Sequence, residues 1–511
     1  MNPTLFISGI AAAAGVFFGF ANPVFYFPPF IFLYLIVVNR VLLVSEGVKQ
    51  ASSRVFFPAV CGCLAGLYWV VVPVHYYGHL QWFLAVPAAV LLAMYVAVFT
   101  SVYAAFVRWM RDGLSPVWLG IFAGSVWAGL EYLRQWLFGG FPWLNMGGAF
   151  AGWPESVQAA GWVGEVGLSA SAACLALWLS LPKRGTITAA VALVLVLLIP
   201  GLFRDDPSSL KEVSLLLVQG NVDQSKKWSD EYKLDTLEKY KSLTSSGLET
   251  GDFDLVIWPE TAMPFYVQEV NDYSSNLRGF VRKNDLSLVL GAPGYEMLDS
   301  GEDYQLFNRA FFFNSEGEIE DAYDKMRLVP FGEYVPLKNI FPFLDKLVHG
   351  AKDFSPGGAP RPLQTDSLAL GMLICYEIIY SGQVQDEVEA GANLLVNLSN
   401  DAWFGRTSAP RQHLHMAVMR AVEQGRYLAR ATNTGISAFI SPAGRILEES
   451  GLFQAGFLHA EVSASDSRTF FSRHYSAVHC FWFTAAALLL LYGLLRGKRQ
   501  KRDFSAVSSR G

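Results

Sequence analysis

Long apolar runs without charged side chains dominate the first 203 residues of the chain. No charged residue occurs before Arg40, and the later uncharged runs cover residues 55–74, 82–107, 113–130, 166–182 and 185–203. A run of about 18 or more apolar residues can cross the hydrocarbon core of a bilayer as a helix, which satisfies its own backbone hydrogen bonds. Each of these runs therefore predicts one transmembrane span.

The first uncharged stretch is too long for a single span. It is interrupted by Asn22-Pro23 and by Pro28-Pro29, so it predicts two helices joined by a tight turn. This interpretation gives seven spans before the polar region. An eighth span is predicted at residues 476–495, where the sequence reads SAVHCFWFTAAALLLLYGLL.

From residue 213 onward the pattern changes to short apolar runs that alternate with polar or helical stretches. Several of the runs are apolar almost throughout, which indicates strands that are buried on both faces in a layered α/β fold. The predicted strands are residues 213–220, 253–259, 286–293, 309–315, 368–375, 393–400 and 436–442. The predicted helices between them are residues 229–247, 378–391 and 408–430.

These patterns divide the chain into three parts. We predict a membrane domain with seven transmembrane helices at residues 1–205, an extracytoplasmic α/β domain at 206–468, and an eighth transmembrane helix with a basic tail at 469–511. Lys and Arg residues near span ends stay in the cytoplasm. They lie between spans 2 and 3, 4 and 5, and 6 and 7, and after span 8, so both termini are expected to be cytoplasmic.

Composition and charge refine this picture. The 511 residues are 52% hydrophobic and 16% charged, with a formal net charge of -5, which gives no support for a nucleic-acid partner. The tail RGKRQKR is interpreted as a topology signal because it adjoins a predicted span. The N-terminus has neither a basic segment nor a small-residue cleavage signature, so the first span is expected to remain in the protein.

The candidate chemistry begins with one thiol. Of five cysteines, only Cys375 lies outside the predicted spans, in the stretch LICYEIIY. A buried structural cysteine is one interpretation, since a free thiol often packs as a small apolar group. A nucleophilic thiol is the other, and it requires a nearby base and a group that stabilises an oxyanion.

Two polar residues near strand ends are better partners for this thiol than the histidines. Glu260 follows the predicted strand FDLVIWP, at the edge of a sheet where ligands gather, and Lys325 lies in AYDKMRLVPFGEYVP. Taken alone, Glu260 is equally compatible with an ordinary loop carboxylate, and Lys325 fits an exposed surface lysine better. His413 and His415 are two apart on a predicted helix and so diverge, whereas metal ligands on a helix are usually four apart. We predict no metal and no cofactor.

The ordered motifs WPE, YxKxxLVPFGEYVP and CYE resemble the Glu-Lys-Cys triad of the nitrilase superfamily. The phrases GFPW, QGNVDQSKKW, LVPFGEYVP and SNDAWFG, together with the predicted spans on both sides of the domain, extend the resemblance to the whole chain. In these features the chain is similar to the bacterial apolipoprotein N-acyltransferase family, a membrane-embedded branch of that superfamily.

This resemblance implies a fold and a set of roles. The implied architecture is a polytopic α-helical membrane domain of eight spans plus a nitrilase-like αββα sandwich. Cys375 is implied as the nucleophile, Glu260 as the general base and Lys325 as the cation that stabilises the oxyanion. The residues with implied supporting or substrate-positioning roles are Trp228, Glu333, Tyr376 and Glu377.

The resemblance also implies a reaction. A fatty acyl chain passes from a phospholipid donor, through a thioester on the cysteine, to the α-amino group of the N-terminal diacylglyceryl-cysteine of an apolipoprotein. The implied location is the bacterial inner membrane, with the catalytic domain on the periplasmic side. Two alternatives remain: a membrane-tethered amidase that hydrolyses a C–N bond, and a transporter or scaffold, although the predicted spans hold few of the ionisable residues that mark transport pathways.

Overall fold

The chain forms two compact units in the computed structural model. The helical unit comprises Met1–Val70, Val86–Arg204 and Thr469–Gly511, and the sheet unit comprises Val71–Ala85 and Asp205–Arg468. The predicted domain limits stay predictions. The residues that the structure describes are 3–78, 80–202, 211–224, 227, 229–298, 303–334 and 353–508.

Thirteen α-helices lie in the described part of the chain. Eight of them, α1 to α7 and α13, overlap the eight predicted spans. The helices are α1 (Pro3–Gly19), α2 (Ile31–Leu43), α3 (Val48–Leu67), α4 (Trp82–Met110), α5 (Pro116–Arg134), α6 (Ala160–Ser180), α7 (Arg184–Leu202), α8 (Asp230–Leu248), α9 (Asp272–Lys283), α10 (Ser381–Glu389), α11 (Ala409–Gln424), α12 (Phe470–Arg473) and α13 (Tyr475–Ser508).

The helical unit confirms that several apolar helices are present. Among the described residues, five helical segments are long and apolar enough to cross a membrane, and two shorter apolar helices lie at the N-terminal end. The long segments are Val48–Val70, Trp82–Met110, Ala160–Ser180, Arg184–Leu202 and Tyr475–Arg496, and the shorter ones are Pro3–Gly19 and Pro28–Leu43. The number of crossings therefore stays a prediction.

A buried polar network joins α5, α6 and the loop between them. Glu131 Oε1 accepts a hydrogen bond from the backbone N–H of Met146 at 2.9 Å. Arg134 donates to Asn145 Oδ1 at 2.6 Å, and the Asn145 amide donates to Glu165 at 3.2 Å. The predicted spans ended just short of these charges, whereas the helices include them. Charges buried in a helical unit need such partners, which explains why the three ionisable side chains lie together.

Twelve described strands build the sheet unit, and they form two six-stranded sheets with the orders β12-β1-β2-β3-β4-β5 and β11-β10-β9-β8-β7-β6. In each sheet three consecutive strands are parallel, β1, β2 and β3 in one and β7, β8 and β9 in the other. The strands are β1 (Lys211–Gln219), β2 (Leu255–Ile257), β3 (Leu288–Met297), β4 (Tyr304–Phe313), β5 (Ile319–Asp324), β6 (Leu363–Gln364), β7 (Ala369–Ile374), β8 (Leu394–Ser399), β9 (Leu428–Thr432), β10 (Ala438–Ile440), β11 (Ile446–Glu449) and β12 (Gly456–Ala464).

The two sheets pack face to face, and helices cover their outer faces. One apolar cluster, which includes Leu215, Ile257, Met372 and Val396, draws its residues from both sheets. A second cluster joins the outer face of the first sheet to α8 and α9. Each fully buried aliphatic side chain contributes about 1.5–3 kcal/mol, so both faces of the inner strands stabilise the layers. The predicted layered α/β fold is confirmed.

Some predicted boundaries in the sheet unit are wrong. The predicted helix at 408–430 ends at Gln424, because Gly425 adopts a left-handed conformation with φ of 65° and terminates it. The chain then enters β9, a central strand that was assigned to the helix. Strands β5, β6, β11 and β12 were not predicted, since their exposed alternate residues give them a mixed polar composition.

Candidate active site

Glu260 lies just beyond the carboxyl end of β2. The strand is short, and the following Trp258 is fully buried, which fixes where the chain leaves the sheet. Gly291 of β3 lies directly beneath this turn: a Cβ atom there would lie 2.7 Å from Glu260 Cα and 2.6 Å from the backbone N of Thr261. Only glycine permits this close approach, and it allows the Glu260 carboxylate to point into the buried site, where the residue is 6% exposed.

Lys325 follows the last residue of β5, and its ammonium contacts two carboxylates. Its Nζ donates to Glu333 Oε1 at 3.0 Å and to Glu260 Oε1 at 3.4 Å. The side chain is 1% exposed. Burial acts to lower the pKa of Lys325, but Glu333 and Glu260 outweigh it and the pKa is raised. The lysine is therefore a permanent cation in the site at neutral pH.

Asn308 of β4 holds the two carboxylates together, and the sequence analysis missed it. Its Nδ2 donates to Glu260 Oε1 at 2.8 Å and to Glu333 Oε1 at 2.9 Å. Its backbone carbonyl also accepts the N–H of Lys325 at 2.9 Å. The one available signal was an amide within the apolar run QLFNRAFFF, since a polar group in a buried strand needs partners.

Glu333 is anchored by its own turn. Its Oε2 accepts the backbone N–H of Val329 at 2.8 Å, and its backbone N–H donates to the Val329 carbonyl at 2.9 Å. The carboxylate is thereby fixed against Lys325 before any substrate arrives. Two carboxylates held against one ammonium keep the cation well oriented.

Cys375 follows the end of β7 and begins a short 3-10 turn that extends to Ile379. Its φ of 54° is left-handed, which is uncommon for a residue with a side chain and is typical of strained positions at functional sites. Burial raises the pKa of the thiol, and the negative charge of Glu260 acts in the same direction, while Lys325 opposes both. The resting group is therefore the neutral thiol, which must lose its proton to a base before it can attack.

Glu377 lies two residues after the thiol and fixes the surrounding backbone. It is fully buried. Its Oε1 accepts the backbone N–H groups of Met326 at 2.7 Å and Arg327 at 3.0 Å, and its Oε2 accepts the N–H of Ile374 at 2.7 Å and the hydroxyl of Tyr323 at 3.1 Å. One carboxylate thus ties the segment after Lys325 to the turn that carries Cys375.

We expect Glu377→Gln to loosen this connection. A glutamine has an NH2 group where the carboxylate has an acceptor oxygen, so at least one backbone donor loses its partner, at a cost of about 1–3 kcal/mol. The melting temperature of the detergent-solubilised protein should fall, and Cys375 should react more slowly with a small alkylating agent. The control is Glu389→Gln, which removes a partly exposed carboxylate paired with Arg468 at 3.2 Å. Equal stability and reactivity in Glu377→Gln and wild type would contradict this role.

Tyr376 and Trp228 are the other two predicted positions. Tyr376 is partly buried, and its ring packs edge-on against Tyr380 with centroids 5.3 Å apart. The guanidinium of Arg327 lies 4.2 Å from the centroid of the Tyr380 ring. Trp228 lies outside the described residues. Tyr376 is therefore next to the nucleophile along the chain, and its ring contacts Tyr380.

A buried cluster of His413, Asp401 and Arg430, to which the sequence analysis assigned no role, contacts the backbone of the nucleophile. His413 of α11 places Nε2 3.2 Å from the carbonyl oxygen of Cys375, and its Nδ1 lies 3.1 Å from Asp401 Oδ1. Arg430 donates to the other Asp401 oxygen at 2.8 Å and lies 3.0 Å from His413 Nδ1. Burial lowers the pKa of His413 and Arg430 lowers it further, so the ring is neutral and Nε2 donates its proton to the Cys375 carbonyl. The motif SNDAWFG contains this aspartate, but the sequence analysis assigned no role to it.

Comparison with known proteins gives the site its context. A family profile described as carbon–nitrogen hydrolase matches residues 217–470, and one described as the N-terminal domain of apolipoprotein N-acyltransferase matches residues 14–178. The apolipoprotein N-acyltransferase of Geobacter metallireducens is 37% identical over 85% of both chains. That of Nitrosomonas europaea is 34% identical over 96% of this chain and 97% of its own length.

Among solved structures, the chain is similar to an amidase from Nesterenkonia sp., with 22% identity and a TM-score of 0.38. The match covers 54% of this chain and 97% of the amidase.

The fold and the buried thiol, lysine and carboxylates define an enzyme of the carbon–nitrogen hydrolase class. The helical unit and the relatives define the branch within that class. The chain belongs to the apolipoprotein N-acyltransferase family, and it is an acyltransferase. The family resemblance inferred from the ordered motifs is confirmed.

Proposed function

We propose that this enzyme transfers a fatty acyl chain from a phospholipid to the α-amino group of an N-terminal diacylglyceryl-cysteine on an apolipoprotein. The observation that carries the proposal is the ammonium of Lys325, 3.0 Å from Glu333 and 3.4 Å from Glu260, in a site that also contains the Cys375 thiol. A nucleophile, a base and a cation are the groups that acyl transfer through a covalent intermediate requires.

In the first half of the reaction, Glu260 takes the proton of Cys375, and the sulfur attacks the ester carbonyl of the donor. Negative charge develops on the carbonyl oxygen, and Lys325 stabilises it. When the tetrahedral intermediate collapses, the C–O bond breaks and Glu260 returns the proton to the departing oxygen. The products are a lysophospholipid and an acyl thioester on Cys375.

In the second half, the α-amine of the acceptor attacks the thioester. Glu260 accepts a proton from the amine and passes it to the sulfur as the C–S bond breaks, which restores the thiol. Within the described residues, Glu260 Oε2 is buried and has no hydrogen-bond partner, so this oxygen is available for both proton transfers. The exchange of a thioester for an amide is energetically downhill, and neither half requires a nucleotide or a metal.

The remaining residues have proposed supporting roles. Glu333 orients Lys325, and Glu377 holds the backbone on both sides of the thiol. Tyr376 and Trp228 contact the substrate. These assignments extend the contacts described above for Glu333 and Glu377, and for Trp228 they rest on the family motif alone.

We propose that the helical unit crosses the inner membrane eight times and that the sheet unit lies on the periplasmic side, with both termini in the cytoplasm. The distribution of Lys and Arg near the span ends supports this orientation. A membrane location suits the reaction because both substrates carry acyl chains that remain in the bilayer. A reporter that is active only in the cytoplasm should be active when fused after the C-terminal tail, and an inactive fusion would contradict the orientation.

The proposed function is tested with purified protein and two defined substrates. A phospholipid with a labelled acyl chain is mixed with a synthetic peptide that begins with diacylglyceryl-cysteine. We expect labelled peptide and lysophospholipid in equal amounts, and no labelled peptide when the α-amine is already acetylated. The amidase alternative predicts instead the release of ammonia from a small amide without acylation of the peptide. That result would overturn the proposal.

A further inference from the structure

The left-handed backbone of Cys375 needs contacts that hold it. Residues with side chains keep a φ such as the 54° of Cys375 only where the surrounding structure imposes it. Two side chains donate to the carbonyl oxygen of this residue, His413 through Nε2 at 3.2 Å and Asn397 through Nδ2 at 3.5 Å. The Asn397 amide also donates to the Leu373 carbonyl at 2.7 Å, which is its closer contact. His413 is therefore the main side-chain anchor of the peptide that follows the thiol.

The groups around the His413 ring place a proton on Nε2. A carbonyl oxygen only accepts hydrogen bonds, so the ring nitrogen that faces Cys375 must donate. At the other end of the ring, Arg430 Nη2 lies 3.0 Å from Nδ1, and a guanidinium has only donors, so Nδ1 accepts. Asp401 Oδ1, at 3.1 Å from Nδ1, favours a proton there. A ring with protons on both nitrogens would still donate from Nε2, so the contact with Cys375 is the same in either state.

Three elements of the second sheet fix the orientation of this ring. His413 lies on α11, Asp401 follows β8, and Arg430 lies in β9, and each of the three is at most 1% exposed. Arg430 donates to Asp401 Oδ2 at 2.8 Å, and the Ser399 hydroxyl donates to Asp401 Oδ1 at 2.8 Å. Polar groups buried to this extent keep their partners, because an unmade hydrogen bond is costly away from water. The cluster therefore holds Nε2 towards the Cys375 carbonyl.

We propose that His413 is a positioning residue for acyl transfer, whose Nε2–H holds the Cys375 carbonyl and thereby fixes the orientation of the thiol. The inference rests on the role proposed for Cys375 as nucleophile. Without this hydrogen bond, the backbone at Cys375 can rotate towards a less strained φ, and the sulfur changes position with it. A displacement of about 1 Å at a reacting atom can slow a reaction about 10²-fold.

Two substitutions of His413 differ only in how far their amide group reaches. The amide of His413→Gln extends about as far as Nε2 and can donate to the Cys375 carbonyl. The amide of His413→Asn is one methylene shorter, lies near the position of Nδ1 and does not reach that carbonyl. Both variants keep a polar group beside Asp401 and Arg430, which remain paired with each other. The pair therefore isolates the contact with the nucleophile.

The test measures the rate at which labelled phospholipid acylates Cys375 at increasing donor concentrations. His413→Gln should keep most of the maximal rate of wild type. His413→Asn should lower the maximal rate about 10²-fold, because the thiol is displaced. The donor concentration that gives half of the maximal rate should not change, since the buried ring takes no part in binding the donor. Equal maximal rates in the two variants, whether high or low, would overturn the proposal.

The matched control is His415→Asn. His415 is also buried and lies two positions further along α11, where side chains point in a different direction. The variant thus makes the same change in the same helix and leaves His413 in place. Its maximal rate should be that of wild type. A loss as large as that in His413→Asn would show that the rate reports damage to the helix, and the proposal would fail.

Alkylation of Cys375 by iodoacetamide gives a readout that needs neither proposed substrate. His413→Asn should be alkylated about tenfold more slowly than His413→Gln, because the displaced thiol is less well placed to give its proton to a base. If phospholipid does not acylate wild type while alkylation still differs between the two variants, the proposed function is wrong and the role of His413 stands. Equal alkylation in the two variants, or a loss of melting temperature and reactivity in both, would show instead that the histidine is only structural.

Discussion

Cys375→Ala is expected to abolish the covalent acyl-enzyme and to lower transfer to the peptide by at least about 10³-fold, because loss of the nucleophile of a covalent mechanism removes most of its catalysis. The protein is incubated with acyl-labelled phospholipid and no acceptor, and the label on protein is measured by mass spectrometry. In wild type the label should lie on the peptide that contains Cys375 and should be released by hydroxylamine, which cleaves thioesters.

Cys480→Ala is the control for the other thiols. Cys480 is exposed on α13, so it is the described free cysteine most open to adventitious acylation. The variant should label as wild type does. A hydroxylamine-sensitive label of wild-type amount on Cys375→Ala would refute the assignment of the nucleophile.

Glu260 and Cys375 could be proposed as site residues because each follows an apolar run that predicts a strand. Apolar runs mark β2 and β7 in the sequence, one in each sheet, and ligands gather at the carboxyl ends of such strands. Glu260 and Cys375 could therefore be placed without knowing the order of strands. Lys325 follows β5, a mixed strand that the pattern did not reveal, and only the family motif identified it.

Asn308 could not be found in this way. Asn308 bridges Glu260 and Glu333, which are far from it in the sequence, and the geometry of the bridge depends on how β4 pairs with β3 and β5.

The limits of the fold prediction have a similar cause. The absence of charges identified the apolar helices well, but the same criterion left Glu131, Arg134 and Glu165 out of the predicted spans. These three side chains hydrogen-bond to Asn145 and Met146 in the loop between α5 and α6. Strand β12 pairs antiparallel with β1 over nine residue pairs, although the two are at opposite ends of the sheet unit in sequence. Long-range pairing of this kind leaves little trace in local composition.

Lys325 is the residue on which both the charge balance and the proposed chemistry depend. It is buried, and its ammonium lies between two carboxylates that Asn308 already holds close together. Removing one partner of a buried ion pair typically costs 3–5 kcal/mol, because an uncompensated charge remains. Removing a group that stabilises an oxyanion typically slows the reaction by about 10²–10³-fold. These two effects must be separated before a loss of activity can be assigned to catalysis.

Lys325→Met is expected to show both effects. Glu260 and Glu333 would face each other without a cation, and one of them would take up a proton. The melting temperature in detergent should fall, and the rate at which labelled phospholipid acylates Cys375 should drop by at least about 10²-fold. A variant that acylates at the wild-type rate would show that Lys325 has no role in the transition state.

The double variant Lys325→Met/Glu333→Gln separates the two causes. It removes one of the two carboxylates together with the cation, so part of the lost stability should return, although the Asn308 amide or the Val329 N–H loses an acceptor. The acylation rate should stay as low as in Lys325→Met, because no cation remains to stabilise the oxyanion. Recovery of the rate along with the melting temperature would mean that the lysine acts only by balancing the carboxylates, and the oxyanion role would then have to be given up.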